Sequence, residues 1–145
     1  MKRLINTAFL YGLVGLLAGV FYREFTKFSG YEGRTVLSVL HPHLLILGTL
    51  LFLLLALFVR QLPLLEEKSF VTFYRLHSVA LPAVVLMLGV RGVLQTRQVD
   101  VAKGLDAAIS GLAGLSHVLL TVAFVFLFLA LKRAVSRVPD RQPEP

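Results

Sequence analysis

Four long apolar runs constrain this chain more than any other feature of its sequence. They cover roughly residues 4–25, 35–59, 70–94 and 107–131. Each run is long enough to cross a bilayer, which takes about 20 apolar residues in a helix. Because backbone groups in lipid must bond to one another, such uninterrupted runs form helices. The sequence therefore predicts an all-α integral membrane protein, a bundle of four transmembrane helices.

Short links rich in proline, glycine and charge separate the runs at residues 26–34, 60–69 and 95–106. Residues of these types are typical of connections between helices. One transmembrane domain over residues 1–137 then accounts for the chain, and residues 138–145, with three prolines, are expected to form a disordered tail. The first run continues into Tyr22-Arg23-Glu24 without a small-residue cleavage site, so we expect it to be retained as a helix.

The net charge of +7 arises from lysines and arginines at the ends of the runs and in the links. That placement is typical of membrane-flanking residues and does not indicate a nucleic-acid partner. Nine of the 15 basic residues fall on the side of the two termini and six on the other side. Because cytoplasmic flanks carry the excess of lysine and arginine, we expect a multi-pass protein of the cell inner membrane with both termini in the cytoplasm.

Histidines inside the apolar runs are the candidate functional residues. His41 and His43 lie near the start of the second run, and His117 lies ten residues into the fourth. Both runs enter from the same side, so the three histidines are expected about 9–15 Å deep, at about 1.5 Å per residue. His77 enters from the other side and is a weaker candidate. Ionisable residues inside a membrane are functional candidates, and imidazole is a common metal ligand, although any one histidine could simply bond to a neighbouring carbonyl.

The pair His41 and His43 cannot form a simple clamp on a regular helix. Two residues correspond to a rotation of about 200°, so the two rings are expected to point to nearly opposite faces and serve different partners. Pro42 between them lacks a backbone donor and frees the carbonyl of Ser38, which loosens the local turn. A bend without a functional role is the alternative.

Two arginines and a glycine suggest what the partner is. Arg23 and Arg91 lie at the membrane face nearer to the three histidines, where a planar guanidinium suits the propionates of heme. The alternative is that they reach the lipid headgroups. Gly114, one turn before His117, either leaves space for a flat ring or allows close helix packing. Because the chain has no cysteine, heme would be held without covalent thioether bonds, as heme b.

Three segments resemble the signature segments of a family of short bacterial four-helix membrane proteins, catalogued as a domain of unknown function. They are Gly19–Lys27, Ser38–Gly48, which contains the paired histidines, and Ile109–His117. The family pattern has threonine between the two histidines, whereas this chain has Pro42. The resemblance covers nearly the whole chain and implies no particular activity.

A weaker resemblance concerns the His-x-His pattern in the second helix. It is similar to a motif of the heme-copper oxidase catalytic subunits, in which the two histidines ligate different hemes and twelve helices form three groups of four. The resemblance implies a homo-oligomer, a trimer by analogy, with hemes between protomers held by His41 and His43 of adjacent subunits. His117 would then be a second axial ligand or a hydrogen-bonding neighbour.

These patterns leave three functions open. The first is a b-type heme protein for electron transfer or for binding or reducing oxygen or nitric oxide, with a redox partner and a possible oxidoreductase activity. The second is a divalent-metal-binding membrane protein without heme, although Met1 and Met87 are its only soft ligands. The third is a structural accessory subunit of a larger membrane complex. No catalytic residue is identified, since the spans carry no acidic residue in their middle and the sequence shows no nucleophile motif.

Overall fold

The structure is a computed structural model that describes residues 1–138. Four long helices occupy these residues: α1 is Lys2–Phe28, α2 is Val36–Gln61, α3 is Lys68–Thr96 and α4 is Lys103–Ser136. All four are long and apolar enough to cross a membrane. The predicted all-α, four-helix membrane architecture is confirmed in these terms, whereas the predicted tail lies outside the described residues apart from Val138.

The helices extend beyond the apolar runs at most of their ends. The fourth begins at Lys103 and ends at Ser136, whereas its apolar run covers about residues 107–131. Its 34 residues make it about 51 Å long, against about 30 Å for the hydrocarbon layer. Helical hydrogen bonding continues through the headgroup region, where the side chains become polar. Hydropathy alone therefore underestimates the length of this helix at both ends.

The bundle has two ends that differ in their links. We call the end with Met1, the 62–67 link and Arg137 the terminal face, and the end with the 29–35 and 97–102 links the opposite face. α3 and α4 pack along most of their length, and α1 packs against α2. The largest core cluster lies towards the terminal face and is built mainly from Leu4, Ala8, Phe52, Leu55, Phe73, Ala123 and Leu127.

α2 is the irregular helix of the bundle. It begins as a 3₁₀ turn at Val36–Val39, becomes α-helical at Leu40–His43, widens to a π-helix at Leu44–Leu50 and is α-helical again from Leu51. Pro42 lies in the single α turn between the two irregular segments, which agrees with the expected loosening of the backbone there. π-helical turns are rare and occur often at functional sites. This one begins directly after His43, which supports His43 as a candidate functional residue.

The start of α2 is fixed against α3, and this sets the depth of its histidines. The Val36 amide donates to Oε1 of Gln95 over 2.9 Å, and the Thr35 hydroxyl accepts from the Leu37 amide over 3.3 Å. Leu37 is 1% exposed and packs against Gly92, where the absence of a side chain lets the two backbones approach. α2 therefore enters the membrane in a defined register with α3.

At the terminal face, α4 is tied to the second link by charge. Nη1 of Arg137 lies 3.1 Å from Oε1 of Glu67 and 3.9 Å from Oε2 of Glu66. Glu67 is only 3% exposed as a residue, whereas Glu66 is largely in solvent. Nη1 of Arg133 also donates to Oγ of Ser69 over 3.2 Å. These contacts hold the end of α4 against the start of α3.

Candidate functional site

The structure brings His43 of α2 and His117 of α4 together. Their ring centroids are 6.4 Å apart and the ring planes are at 87° to each other. The two residues are 74 positions apart in the chain, so only the fold makes them neighbours. The contact shows that these two histidines lie at one level of the bundle, as the residue count predicts. We call them the histidine pair.

Each ring of the histidine pair is held by a carbonyl of its own helix. Nδ1 of His43 bonds to the Val39 carbonyl over 2.7 Å, and Nδ1 of His117 bonds to the Ala113 carbonyl over 2.8 Å. Because a carbonyl only accepts, Nδ1 must carry the proton, and in a neutral imidazole Nε2 then keeps a free lone pair. A backbone carbonyl on the other ring nitrogen is the usual support of a metal-bound histidine. Both rings are therefore in the tautomer that can bind a metal through Nε2.

An open surface lies beside the histidine pair. His117 is exposed, and a Cβ added at Gly111 or Gly114 would meet nothing within 4 Å. On α2, a shallow hollow beside the pair is lined by Val39, Pro42, His43, Ile46 and Leu47. Apart from the imidazole, its lining is apolar. The space next to Gly114 is therefore compatible with a flat apolar ring, the use proposed for it from the sequence.

His41 lies on another side of α2, against α1. A Cβ added at Gly19 would lie 3.6 Å from Cγ of the His41 ring, so the two helices meet closely there. Nδ1 of His41 is buried and has no hydrogen-bond partner among residues 1–138. The rings of His41 and His43 diverge, as their spacing predicts, and do not converge on one metal within the chain.

His77 is enclosed in a separate aromatic cluster. It is fully buried, and neither ring nitrogen has a hydrogen-bond partner in the described part of the chain. Four rings surround it with centroids 5.1–6.3 Å away: Tyr11, Phe52, Phe73 and Phe124. The cluster leaves no open surface beside the ring. The sequence placed His77 apart from the other histidines, and the structure does not bring it to the histidine pair.

The two arginines proposed for propionates have different surroundings. Nη2 of Arg91 lies 3.0 Å from Oδ1 of Asp106 and 2.6 Å from Oγ of Ser110, which joins α3 to α4. Arg23 makes one long contact, 3.7 Å, with Glu24, and its side chain is 81% exposed. Arg91 thus already binds a carboxylate of the protein, while the guanidinium of Arg23 is largely free. The sequence did not lead us to Asp106 and Ser110 as partners of Arg91. Their spacing of four residues, which puts them on one helix face, was the signal that could have identified them.

Within residues 1–138, the histidine pair offers two candidate metal ligands, and no third one lies beside them. Residues 1–138 contain no group of three or more His, Cys, Asp or Glu side chains placed to hold one metal ion. Any metal bound there by a single chain must therefore bring most of its coordination from elsewhere.

Comparison with known proteins identifies the family. One family model matches residues 1–134, and its description is "Protein of unknown function (DUF2871)". The chain belongs to this family. The resemblance to a family of unknown function, carried by the segments around Arg23, His41 and His117, is confirmed. No similar curated protein and no similar solved structure was found. The family description carries no activity, so function has to be argued from the site.

Proposed function

We propose that this protein is a membrane-embedded heme b protein whose histidine pair, His43 and His117, supplies imidazole ligands to the iron. The observation that carries the proposal is the geometry of the pair. Two imidazoles from different membrane-spanning helices meet, each with Nδ1 held by a carbonyl and with no partner on Nε2 among residues 1–138. Polar groups in a lipid-spanning helix are costly, so a pair that is half-buried at His43 and exposed at His117 calls for a partner.

The number of ligands favours heme over a bare divalent metal. Structural zinc sites use four protein ligands and catalytic sites use three. The described residues offer two at this place. A heme brings four equatorial nitrogens of its own and needs only one or two axial ligands from the protein. Two imidazoles beside an apolar surface therefore match heme more closely than they match a zinc or copper ion.

The spacing within the pair is compatible with a shared metal. Metal–imidazole bonds are about 2.0–2.1 Å long, so two rings bound to one ion have centroids roughly 5–6.5 Å apart, depending on the angle at the metal. The observed 6.4 Å falls within this range, so His43 and His117 would both be able to hold one iron.

The residues around the pair have defined tasks in this proposal. Bound heme supplies one-electron redox chemistry or an iron position for a small gas. The Val39 and Ala113 carbonyls hold the imidazoles in orientation and increase their basicity as ligands. The apolar surface of Ile46 and Leu47 excludes water. Ligation by both histidines favours electron transfer, whereas ligation by one leaves a position for oxygen or nitric oxide.

The oligomer is part of the proposal by analogy with the heme-copper oxidases, since His41 packs against Gly19 of its own chain. His41 faces away from the histidine pair, with a buried Nδ1 that lacks a partner. On that analogy, His41 and His43 of adjacent subunits in a trimer would each offer one ligand to hemes between the protomers. The excess of basic residues at the terminal face favours an inner-membrane protein with both termini in the cytoplasm. In that orientation the histidine pair would lie in the outer half of the membrane and serve an external redox partner or a dissolved gas.

An absorption spectrum tests the proposal directly. The protein is produced in a heme-replete host, purified in detergent and measured before and after reduction with dithionite, with heme and metal content determined on the same sample. We expect a Soret band that shifts and sharpens on reduction. We also expect one heme b for every one or two histidine pairs. A colourless preparation without metal argues for the accessory-subunit alternative, and stoichiometric zinc or copper without heme argues for the divalent-metal alternative. Light scattering gives the oligomeric state.

A further inference from the structure

A second site lies at the terminal face, far from the histidine pair. A cavity of about 250 Å³ opens between the first turn of α1, the second link and the start of α3. Its inner wall is formed by the buried side chains of Leu4 and Phe70, and Leu65 and Val71, both more than 40% exposed, form an apolar rim. The polar part of the lining comes from Arg3, Tyr74 and Arg75. The cavity is therefore amphipathic, with a basic side and an apolar rim.

The basic side of this cavity is built in part from fixed groups. The guanidinium carbon of Arg3 lies 4.4 Å from the centre of the Tyr74 ring. The Tyr74 hydroxyl is 2.8 Å from Oγ1 of Thr7, which holds the ring in place. A cation over an aromatic face keeps its N–H donors available to other groups. Arg3 is thus positioned at the cavity without using its donors on an acid.

No carboxylate of the described residues neutralises this site. The lining contains no Asp or Glu, and within residues 1–138 the ion pairs involve other arginines, namely Arg23, Arg91 and Arg137. Arg3 and Arg75 therefore place two positive charges on one small cavity. Two exposed guanidinium groups on one small cavity favour the binding of an anion there.

The depth of Arg75 strengthens the case for an anion. α3 has 29 residues and is about 43 Å long, so it extends beyond the hydrocarbon layer of about 30 Å by roughly 6 Å at each end if it is centred. Arg75 lies about 10 Å along this helix from Lys68, which places its Cα just inside the hydrocarbon boundary. A guanidinium at that depth must reach the headgroups or pair with an anion.

We propose that this cavity binds the headgroup of an anionic phospholipid. Arginine forks bind phosphate oxygens in bidentate fashion, and basic pockets between transmembrane helices are known headgroup sites. The apolar rim of Leu65 and Val71 lies where the acyl chains would leave the cavity. A free phosphate ion shares the charged contacts but does not use the rim. The inference is independent of heme and concerns the other end of the bundle.

Native mass spectrometry and thermal unfolding test this site on the full-length protein. Delipidated protein receives phosphatidylglycerol, phosphatidylcholine or inorganic phosphate, and both retained lipid and the unfolding midpoint are measured. We expect phosphatidylglycerol to be retained and to raise the midpoint more than the other two additions do. Equal effects of the two lipids overturn the proposal. An equal effect of inorganic phosphate overturns the assignment to a lipid and leaves a simple anion site.

Matched variants assign the effect to the cavity. Arg3→Gln and Arg75→Gln should each lower the preference for phosphatidylglycerol about five-fold, whereas Arg60→Gln, which removes a charge at the same face but outside the cavity, should leave it unchanged. The doubly substituted Arg3→Lys, Arg75→Lys protein keeps the charge and should retain most of the preference. If Arg75→Gln, an exposed position that needs no repacking, behaves like Arg60→Gln, the proposal is wrong.

Discussion

The rings of His43 and His117 meet while each bonds through Nδ1 to the carbonyl four residues before it, and neither Nε2 has a hydrogen-bond partner among residues 1–138. The two histidines are therefore oriented by their own helices rather than by each other. Orientation of this kind persists when one partner is changed, so the contribution of each ring can be tested separately.

Single substitutions should distinguish histidines that bind iron from histidines that only lie near the heme. His43→Ala and His117→Ala are each expected to lower heme content at least about ten-fold if both rings ligate iron, since even the residues that support metal ligands affect affinity by this factor. Heme content and the visible spectrum of the purified variants are the measurements. Thr121→Ala is the matched control, because Thr121 lies one turn after His117 and donates only to the His117 carbonyl. If only one histidine matters, the other is a hydrogen-bonding neighbour.

Replacing His77 by leucine should stabilise the bundle. The ring is fully buried among aromatic side chains, and neither nitrogen meets full hydrogen-bond geometry with a partner in the described residues, although the Leu47 backbone lies near it. Folding therefore removes water from polar atoms with little compensation. Leucine removes that penalty, which is about 1–3 kcal/mol for an unsatisfied buried group. Unfolding in detergent measures the change, and heme content should stay at the wild-type level. A loss of heme in His77→Leu would show that the iron site is at His77 instead of the histidine pair.

Gly92→Ala is expected to weaken the packing of α2 on α3. A methyl group there would lie 2.8 Å from the Leu37 backbone nitrogen, and a backbone atom cannot move aside as a side chain can. Overpacking of this kind costs about 1–3 kcal/mol, and it should also displace the start of α2 and lower heme binding. Gly104→Ala is the control, because nothing lies within 4 Å of the added methyl group. Equal unfolding midpoints for the two variants would contradict the close approach of the helices.

The ion pair between Arg137 and Glu67 should respond unequally to loss of its two partners. The Glu67 side chain is 4% exposed, whereas that of Arg137 is 54% exposed. Arg137→Gln leaves a buried carboxylate without its cation, so it should cost about 1–3 kcal/mol, and Glu67→Gln should cost less because it removes the buried charge itself. Unfolding of both variants in the same detergent gives the comparison. Equal losses would show that a buried, unpaired Glu67 carboxylate is not the cause of the destabilisation in Arg137→Gln.

The sequence was a reliable guide to position along each helix. The apolar runs located four spans, because lipid imposes both their length and their helical hydrogen bonding. Counting residues from the ends of the runs put His43 and His117 at a common depth, and the two-residue spacing separated His41 from His43. These inferences need only the rise and rotation per residue, which are nearly constant in helices.

Rotation of each helix about its axis was decided by the tertiary structure alone. In a membrane, apolar side chains cover the lipid-facing surface as well as the core, so hydrophobic periodicity does not mark the buried face as it does in soluble helices. The sequence therefore determined the four spans and the depth of each histidine. Only the packing of close-approach residues, such as Gly92 on Leu37 and Gly19 on His41, decided that His43 meets His117, that Arg91 binds Asp106 and that His77 is enclosed by aromatic rings.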